Sequence, residues 1–431
     1  MSVNSSPQPQ AVAQPRANRF DWGRSVSAGL GGHENSFGLL RLLLATAVIF
    51  SHAFPLGGWG EDPFLRLTDN QQNIGGVAVL GFFAISGYLI TKSGMSADGL
   101  QFLWRRILRI FPAFYVVLIV GGFIVGPIAW IMAGHSLGSY FGFGVNGPFA
   151  YLVNNADLQM RQYGIYDIFS TTTPYGATAG AVLNGSLWTL TYEFGAYLIV
   201  FVLVVTGILK RAPFMVLVVT AFYFLVQVTE VVAPGTGNRI APTLFDDYRV
   251  SLPLIFLFGA CIAVYSRRVP LDARFAVLSA IVALVTLRQG GLTILGYPAI
   301  AYFIIWLAAA LPARLHWIGA RNDYSYGIYV YGFLVQQFTA SLGWYRWGYL
   351  PWTLVVLAIT AGCAWLSWHG IEKRALSLKD WGPGRGLRYW AERNAAQREK
   401  RKQLANGTPD GASSSRHART GAETHTEQGA D

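Results

Sequence analysis

The sequence predicts an all-α integral membrane protein, a bundle of about ten transmembrane helices with both ends of the chain inside the cell. Hydrophobic residues make up 53% of the 431 residues and charged residues only 13%, whereas soluble domains carry about 25% charged residues. Long apolar runs recur from about residue 36 to residue 369. The runs are continuous and do not alternate in polarity, which favours spanning helices over the strands of a β-barrel. This composition excludes an ordinary cytosolic enzyme, a disordered protein and a disulfide scaffold.

Ten runs approach the roughly 20 apolar residues that a spanning helix needs. Because they follow one another with short connections, they predict one membrane domain over residues 36–375. The predicted spans are residues 36–55, 75–92, 110–132, 187–208, 212–231, 251–266, 275–289, 291–311, 324–342 and 350–369.

The two ends of the chain differ from this domain. Residues 1–35 are rich in Pro, Gln, Ser and Gly and have no apolar core, so they predict a disordered tail and no signal peptide. Residues 376–431 form a second predicted tail. Its part 381–402 is basic and suited to an anionic inner leaflet, while 403–431 is predicted to be disordered.

The distribution of positive charge predicts the orientation. The net charge is +11, and in a membrane protein such an excess marks the cytoplasmic side and does not indicate a nucleic-acid partner. With the N-terminus inside, the inner loops carry 11 Lys and Arg residues and the outer loops 6. The positive-inside rule therefore predicts cytoplasmic termini. The longest connection, residues 133–186, then lies outside, where it is either functional or a solvated connector.

The first span carries two polar residues, Arg41 and His52. Eleven residues are about three helical turns, so both side chains lie on nearly the same face, about 16 Å apart along the axis. Polar groups within a span usually face a cavity or a partner. A histidine in such a cavity is suited to proton abstraction near neutral pH. The alternative is a histidine that only forms hydrogen bonds near the outer surface.

Three further charged residues are candidates. Arg106 and Arg109 share one helix face at the inner surface, where paired guanidinium groups could hold the phosphates of a cytoplasmic ligand. On the residues alone, a positive-inside anchor is the simpler interpretation. Glu193 is an acid near the start of the fourth span, one turn after Thr189. It could orient a histidine, pair with an arginine, bind a proton, or form a purely structural ion pair.

Other features of the chain predict packing or exclude chemistry. The stretch GFFAISGYLI places Ser86 and Gly87 in the second span, where small residues predict close helix packing. The tyrosines that open the ninth span are consistent with packing at the membrane interface. Cys261 and Cys363 lie far apart in apolar runs, so they predict neither a disulfide framework nor a metal site. Nucleotide-binding, zinc-protease and serine-hydrolase motifs are absent from the sequence.

Taken together, these stretches resemble the acyltransferase family 3 membrane proteins, bacterial O-acyltransferases that modify envelope glycans and some small molecules. The resemblance covers about residues 36–375 and is to the stand-alone form without an SGNH hydrolase-like domain. Many family members have a histidine in the ninth span where this chain has Gly332. The stretches that carry the resemblance are Arg41-x10-His52, FFAISGYLI at 82–90, RRILRIFPAFY at 105–115, NGSLWTLTYEF at 184–194, DYSYGIYVY at 323–331 and HGIEKR at 369–374.

The resemblance implies a function as well as a fold. It implies an enzyme of the bacterial inner membrane that takes an acyl group, acetyl by default, from cytoplasmic acyl-CoA and delivers it to a hydroxyl of an extracytoplasmic glycan. His52 then corresponds to the catalytic residue, as base or as transient acyl carrier, with Arg41 and Glu193 as further site residues. Arg106 and Arg109 would serve the acyl-CoA side. The expected partners are acyl-CoA, the acceptor and the lipid bilayer, and we expect no tightly bound cofactor and no metal.

Two other classes of function stay open on the residues alone. A proton-coupled transporter of a solute or lipid-linked sugar would use His52 and Glu193 as a proton relay. Against it, the two halves of the chain show no clear internal symmetry. A scaffold protein of an envelope-synthesis complex would not need the five charged or ionisable residues named above, so their presence favours the enzyme.

Overall fold

The computed structural model of the protein describes residues 24–30, 35–240 and 247–406. Over these residues the chain is helical, and its one strand-like contact is an isolated bridge between Ser25 and Pro270. Seven of the described helices are long and apolar enough to cross a membrane, judged by length and composition. The structure therefore confirms a helical membrane protein, while the number of ten spans and the orientation stay predictions.

A helix lies at each position where the sequence predicts a span. In chain order these helices are α1 (Phe37–Leu56), α2 (Ile74–Gly94), α3 (Gly99–Val120), α4 (Thr189–Val205), α5 (Met215–Val232), α6 (Asp247–Val264), α7 (Ala273–Gln289), α8 (Tyr297–Ala310), α9 (Ser325–Ser341) and α10 (Tyr349–Ser367). A further helix, α11 (Gly386–Asn406), follows them.

Three of these helices are extended by π-helical turns. The turn Gly121–Val125 continues α3 into Gly126–Met132, Leu292–Gly296 leads into α8, and Trp368–Glu372 continues α10 into Lys373–Ser377. The remaining short elements lie in the connections. They are the helices Val26–Gly29, Phe64–Leu67, Pro148–Asn154, Gly176–Ala179, Ile208–Arg211 and Thr236–Ile240, and the 3₁₀ turns Leu137–Ser139, Ala313–Leu315, Trp344–Trp347, Leu378–Asp380 and Gly382–Arg385.

The third helix begins well before the predicted span 110–132. Its start is fixed at Gly99 by a capping box, in which Asp98 accepts a hydrogen bond from the amide of Gln101 and the Gln101 side chain accepts one from the amide of Asp98. Such a cap satisfies backbone N–H groups that would otherwise lack partners at the start of a helix. Hydropathy alone missed this first part of α3 because it is polar and carries three arginines.

The described parts of the two terminal segments pack on the end of the bundle where α3 begins. Near the N-terminus, the Lys92 ammonium donates a hydrogen bond to the carbonyl of Leu30, a buried residue. Near the C-terminus, Trp104 donates to the carbonyl of Leu378 and the amide of Leu387 donates to Asp98. The C-terminal segment thus supports the start of α3. Residues 1–23 and 31–34 of the predicted N-terminal tail, and 407–431 of the C-terminal tail, lie outside the described residues.

Helix α2 lies at the centre of the bundle, in contact with α1, α3, α4, α6 and α8, while α1 also packs against α9 and α10. The closest neighbour of α2 is α6. A Cβ atom on Gly87 would lie 1.8 Å from the carbonyl oxygen of Phe256, and one on Gly259 would lie 2.2 Å from that of Ala84. Small residues allow two membrane helices to approach this closely, as the sequence predicts for Gly87.

We expect Gly87→Ala to destabilise the protein, because its new methyl group would overlap the backbone of α6. Overpacking of this kind costs about 1–3 kcal/mol, so the thermal midpoint of the detergent-purified protein should fall. The matched control is Gly195→Ala in α4, where nothing lies within 4 Å of the added Cβ and the better helix propensity of alanine should help slightly. Equal midpoints for the two variants would contradict the close contact.

Candidate active site

A largely buried cluster of four charged side chains joins α1, α3, α9 and the end of α10. Arg41 and Arg109 both donate to the same oxygen of Asp323, at 2.5 and 2.6 Å from Oδ2. Arg109 also lies 3.6 Å from Glu372, which is 2% exposed. Two guanidinium groups therefore face two carboxylates, and the formal charges of the cluster cancel.

Asp323 is held in place by the start of α9. Its other oxygen accepts hydrogen bonds from the amide and the hydroxyl of Ser325, and an acid in this position is favoured by the N-terminal end of a helix. Burial raises the pKa of the Asp323 carboxyl, but Arg41 and Arg109 more than offset this and bring the pKa to about 2. The carboxylate therefore stays ionised at neutral pH.

Beside this cluster lies a cavity, called the deep cavity below, with about 500 Å³ of empty space, part of it open to solvent. Five helices contribute to its walls, α1, α2, α3, α4 and α9. Three of the five residues that the sequence singles out line it, namely Arg41, Arg109 and Glu193. The other lining residues are Val79, Phe82, Phe83, Ile110, Thr189, Leu190, Ser325, Tyr326 and Tyr329.

Glu193 accepts hydrogen bonds from the hydroxyls of Tyr197 and, at 3.4 Å, Ser86. Over the described part of the chain it forms no ion pair within 4.0 Å and no hydrogen bond to a histidine. The Arg106 guanidinium lies over aromatic rings, 5.7 and 5.9 Å from the ring centres of Phe102 and Tyr197. Arg106 is thus packed behind the cavity wall, whereas Arg109 faces the cavity.

His52 lies in a second cavity toward the other end of α1, with an empty volume of about 1000 Å³. Its ring meets the edge of Phe333, with 5.4 Å between ring centres. Within the described residues, neither ring nitrogen has a hydrogen-bond partner, so both remain available to a ligand. The remaining walls are rich in amide and aromatic side chains, among them Gln71, Gln72, Asn73, Trp188, Tyr248 and Tyr297.

The two cavities meet at Val79 and Tyr329, which line both. The hydroxyl of Tyr329 donates to the carbonyl of Ser186 and shares a hydrogen bond of 2.5 Å with the Thr189 hydroxyl. These bonds fix the tyrosine between α9 and α4. The two cavities therefore adjoin at this junction, one toward the Arg41 end of α1 and the other toward its His52 end.

Asp62, buried next to the His52 cavity, organises the connection between α1 and α2. It accepts hydrogen bonds from the Ser51 hydroxyl at 2.7 Å and from the amides of Phe64 and Ile74, each at 2.9 Å. Ser51 precedes His52, and Ile74 is the first residue of α2. The carboxylate thereby ties the loop that forms one wall of the cavity to the helix that carries His52.

The sequence pointed to most but not all of this site. Asp323 and Glu372 lie inside stretches used for the resemblance, DYSYGIYVY and HGIEKR, where a lone acid beside a span is a usable signal. Asp62 carried no such signal in the sequence beyond its position in a short loop. The long connection 133–186 contributes no residue to the walls of the His52 cavity. Its contact with the cavity is indirect. The ring of Tyr175 packs against Phe333, and Phe333 packs against His52.

Comparison with known proteins agrees with the resemblance. A family model described as an acyltransferase domain, that of acyltransferase family 3, matches residues 34–369. An O-acetyl transferase of Shigella phage Sf6 is 31% identical over 80% of this chain and 96% of its own length. Nodulation protein 10 of Rhizobium leguminosarum bv. viciae is 29% identical over 81% of this chain and 95% of its own length. No solved structure matches the chain significantly.

We expect Asp323→Asn to reduce both stability and activity, because it leaves Arg41 and Arg109 with too little compensating charge. Removing one partner of a buried ion pair costs about 3–5 kcal/mol. The control is Asp380→Asn, which removes an exposed ion pair with Arg105 and should cost at most about 1 kcal/mol. Thermal midpoints of both purified variants measure the difference. If the two variants melt together, the charged cluster does not hold the bundle.

Proposed function

Because the chain belongs to acyltransferase family 3 and is a multi-pass membrane enzyme that transfers acyl groups, we propose the following reaction. The protein moves an acyl group, in the simplest case acetyl, from cytoplasmic acyl-CoA to a hydroxyl of an extracytoplasmic glycan such as exopolysaccharide or lipopolysaccharide. The membrane is the bacterial inner membrane, and both termini are cytoplasmic.

One observation carries this proposal, the pair of adjoining cavities along α1. Arg41 borders the deep cavity, and His52 borders the His52 cavity, which is called the outer cavity from here on. The two residues are about 16 Å apart along the helix axis. A donor on one side and an acceptor on the other can therefore meet within the bundle. The junction at Val79 and Tyr329 is where the thioester of the donor would come within reach of His52.

The chemistry of acyl transfer fits the groups in the outer cavity. A hydroxyl of the acceptor gives its proton to a base as its oxygen attacks the thioester carbonyl, and CoA leaves as the thiol. His52, with both nitrogens free of protein partners among the described residues, is the base, or it carries the acyl group itself before the acceptor arrives. Trp188 lines the same cavity, and its indole N–H is a donor of the kind that stabilises an oxyanion.

The lining of the outer cavity also supports a carbohydrate acceptor. Its amide groups, Gln72 and Asn73 among them, can exchange hydrogen bonds with sugar hydroxyls. Trp188 and Tyr248 pack against each other with 4.6 Å between ring centres, and aromatic rings of this kind present an apolar face with a polar edge. No acidic side chain is among the described residues that line this cavity, and the nearby Asp62 carboxylate is engaged by the Ser51 hydroxyl and two backbone amides, so a neutral glycan would meet no unpaired carboxylate.

On the donor side we assign different tasks to the two arginines of the third helix. Arg109 is engaged by Asp323 and Glu372, so it shapes the deep cavity and holds the helices in register. Arg106 lies near Tyr197 and Glu193 and keeps its Nε buried without a partner in the described structure. Both would influence donor binding, Arg109 through the walls of the cavity and Arg106 through Glu193.

The first test of the function is a search for alkali-labile acyl esters on envelope glycans by mass spectrometry. Cells that lack the gene are complemented with the wild type, with His52→Ala, or with His135→Ala. His135 packs on Trp130 away from both cavities. We expect the wild type and His135→Ala to restore an ester, and His52→Ala to lower it by about 10²–10⁴-fold, the usual effect of losing a general base.

The amounts of each variant in the membrane must be equal for this comparison. Equal ester levels from the wild type and His52→Ala would contradict the role of His52, while the enzyme class would stand. If no glycan changes in any strain, the glycan acceptor is wrong, and small hydroxyl compounds become the acceptors to test.

The junction between the cavities gives a second prediction. Val79→Trp should fill the space between the deep cavity and His52, so transfer should fall by about 100-fold, as expected when reacting groups are held apart. Binding of acetyl-CoA should remain, because the donor end of the path is unchanged. Val79→Ala is the control and should keep both properties. Full transfer by Val79→Trp, measured as ester formed per enzyme molecule, would show that the acyl group takes another path.

A further inference from the structure

The inner end of the cavity path opens beside the segment that links α8 to α9. Two cavities lie there, with empty volumes of about 980 and 1220 Å³. Arg321 and Asp323 line both of them. The smaller one also contains Arg41, which it shares with the deep cavity. A ligand bound at Arg321 is therefore at the start of the path that leads past Arg41 toward His52.

Arg321 differs from Arg41 and Arg109 because its guanidinium group forms no ion pair in the described structure. Arg41 and Arg109 are bound to Asp323 at 2.5 and 2.6 Å, and Arg106 packs among aromatic rings outside the cavities. Arg321 is exposed and has no acidic partner in the part of the chain that the structure describes. An anion entering from this end would meet Arg321 without first having to displace a carboxylate.

The backbone around Arg321 is fixed against α1. Gly319 has a φ of +73° and packs directly on Gly38, where a Cβ on either glycine would lie about 2.6–2.8 Å from the backbone of the other segment. A positive φ suits glycine and strains other residues. Because this contact anchors the linker two residues before Arg321, the backbone of Arg321 has a defined position at the mouth of the path.

The side chains at this opening match the chemical groups of a CoA thioester. Such a donor has a head with several phosphates, an adenine ring and a long uncharged arm that ends in the thioester. Arginine binds phosphate oxygens with two parallel hydrogen bonds. Trp317, which is 75% exposed, lines the larger cavity together with Arg321, and its ring is free to stack on adenine. The uncharged arm fits the path past Arg41, where the charges are already balanced.

We propose that Arg321 binds the phosphates of the acyl-CoA donor, with Trp317 beside it as the surface for the adenine ring. This assignment rests on the proposed function, since it takes acyl-CoA to be the donor. It places donor recognition in the linker between α8 and α9, outside the arginine pair Arg106 and Arg109 to which the sequence pointed.

The test measures binding of acetyl-CoA to the full-length protein in detergent by titration calorimetry. Arg321→Ala should weaken binding by about tenfold or more, as expected for the loss of hydrogen bonds between charged groups. The matched control is Arg314→Ala, in the same linker but not among the residues that line either cavity, and it should bind like the wild type. S-acetylpantetheine, which has the same arm without the phosphates, should bind the wild type and Arg321→Ala alike.

Each alternative outcome has a distinct meaning. If the wild type binds acetyl-CoA and Arg321→Ala binds it equally well, the role of Arg321 is wrong and the proposed donor stands. Equal weakening by Arg314→Ala would overturn the assignment in favour of diffuse surface charge. Weaker binding of S-acetylpantetheine to Arg321→Ala would overturn it in favour of a structural role. If the wild type binds no acetyl-CoA, both the proposed donor and the role of Arg321 fail.

Discussion

The ion pairs of Asp323 with Arg41 and Arg109 are the constraint on which the rest of the site depends. A charged group within a membrane protein is costly unless an opposite charge lies close to it. Here one carboxylate oxygen takes both guanidinium groups, and Glu372 supplies a second negative charge near Arg109. The cluster joins helices that are far apart in the chain, so the relative position of α1, α3 and α9 follows from it.

The charged or ionisable residues of the site therefore fall into two kinds. Some are held in ion pairs that stabilise the structure, and others are available to contact a ligand. Arg41 and Arg109 belong to the first kind. Glu193 and His52 belong to the second, because neither forms an ion pair in the described structure. Since α1 carries both Arg41 and His52, and α9 carries Tyr329, the cluster at one end of these helices also determines where His52 and the junction lie at the other end. We therefore expect a change at Asp323 to alter the position of His52, about three helical turns from Arg41.

The sequence was sufficient for the helices but not for the partners of the charged residues. Apolar runs located the helices because burial in lipid imposes a simple length rule, and helical periodicity placed Arg41 and His52 on one face. The partner of Arg41 is 282 positions away, and a single sequence holds no information on which distant acid meets it. The spacing of Arg106 and Arg109 also predicted that the two arginines act as a pair on one helix face. Only the surrounding helices show that Arg109 faces acids while Arg106 faces aromatic rings.

Under the proposed function, the position of the balanced cluster bears on how an acyl group would cross most of a membrane. The phosphates of a CoA thioester cannot enter the bundle, because each charge would lose its hydration without a partner, whereas the arm and thioester are uncharged. With Arg41 and Arg109 already neutralised, the path toward His52 carries little net charge that would hold back or trap a polar arm. Recognition of the charged head can then be confined to the mouth at Arg321. The protein would thus need to move only the neutral part of the donor, and the acceptor hydroxyl would meet it at His52 from the other side.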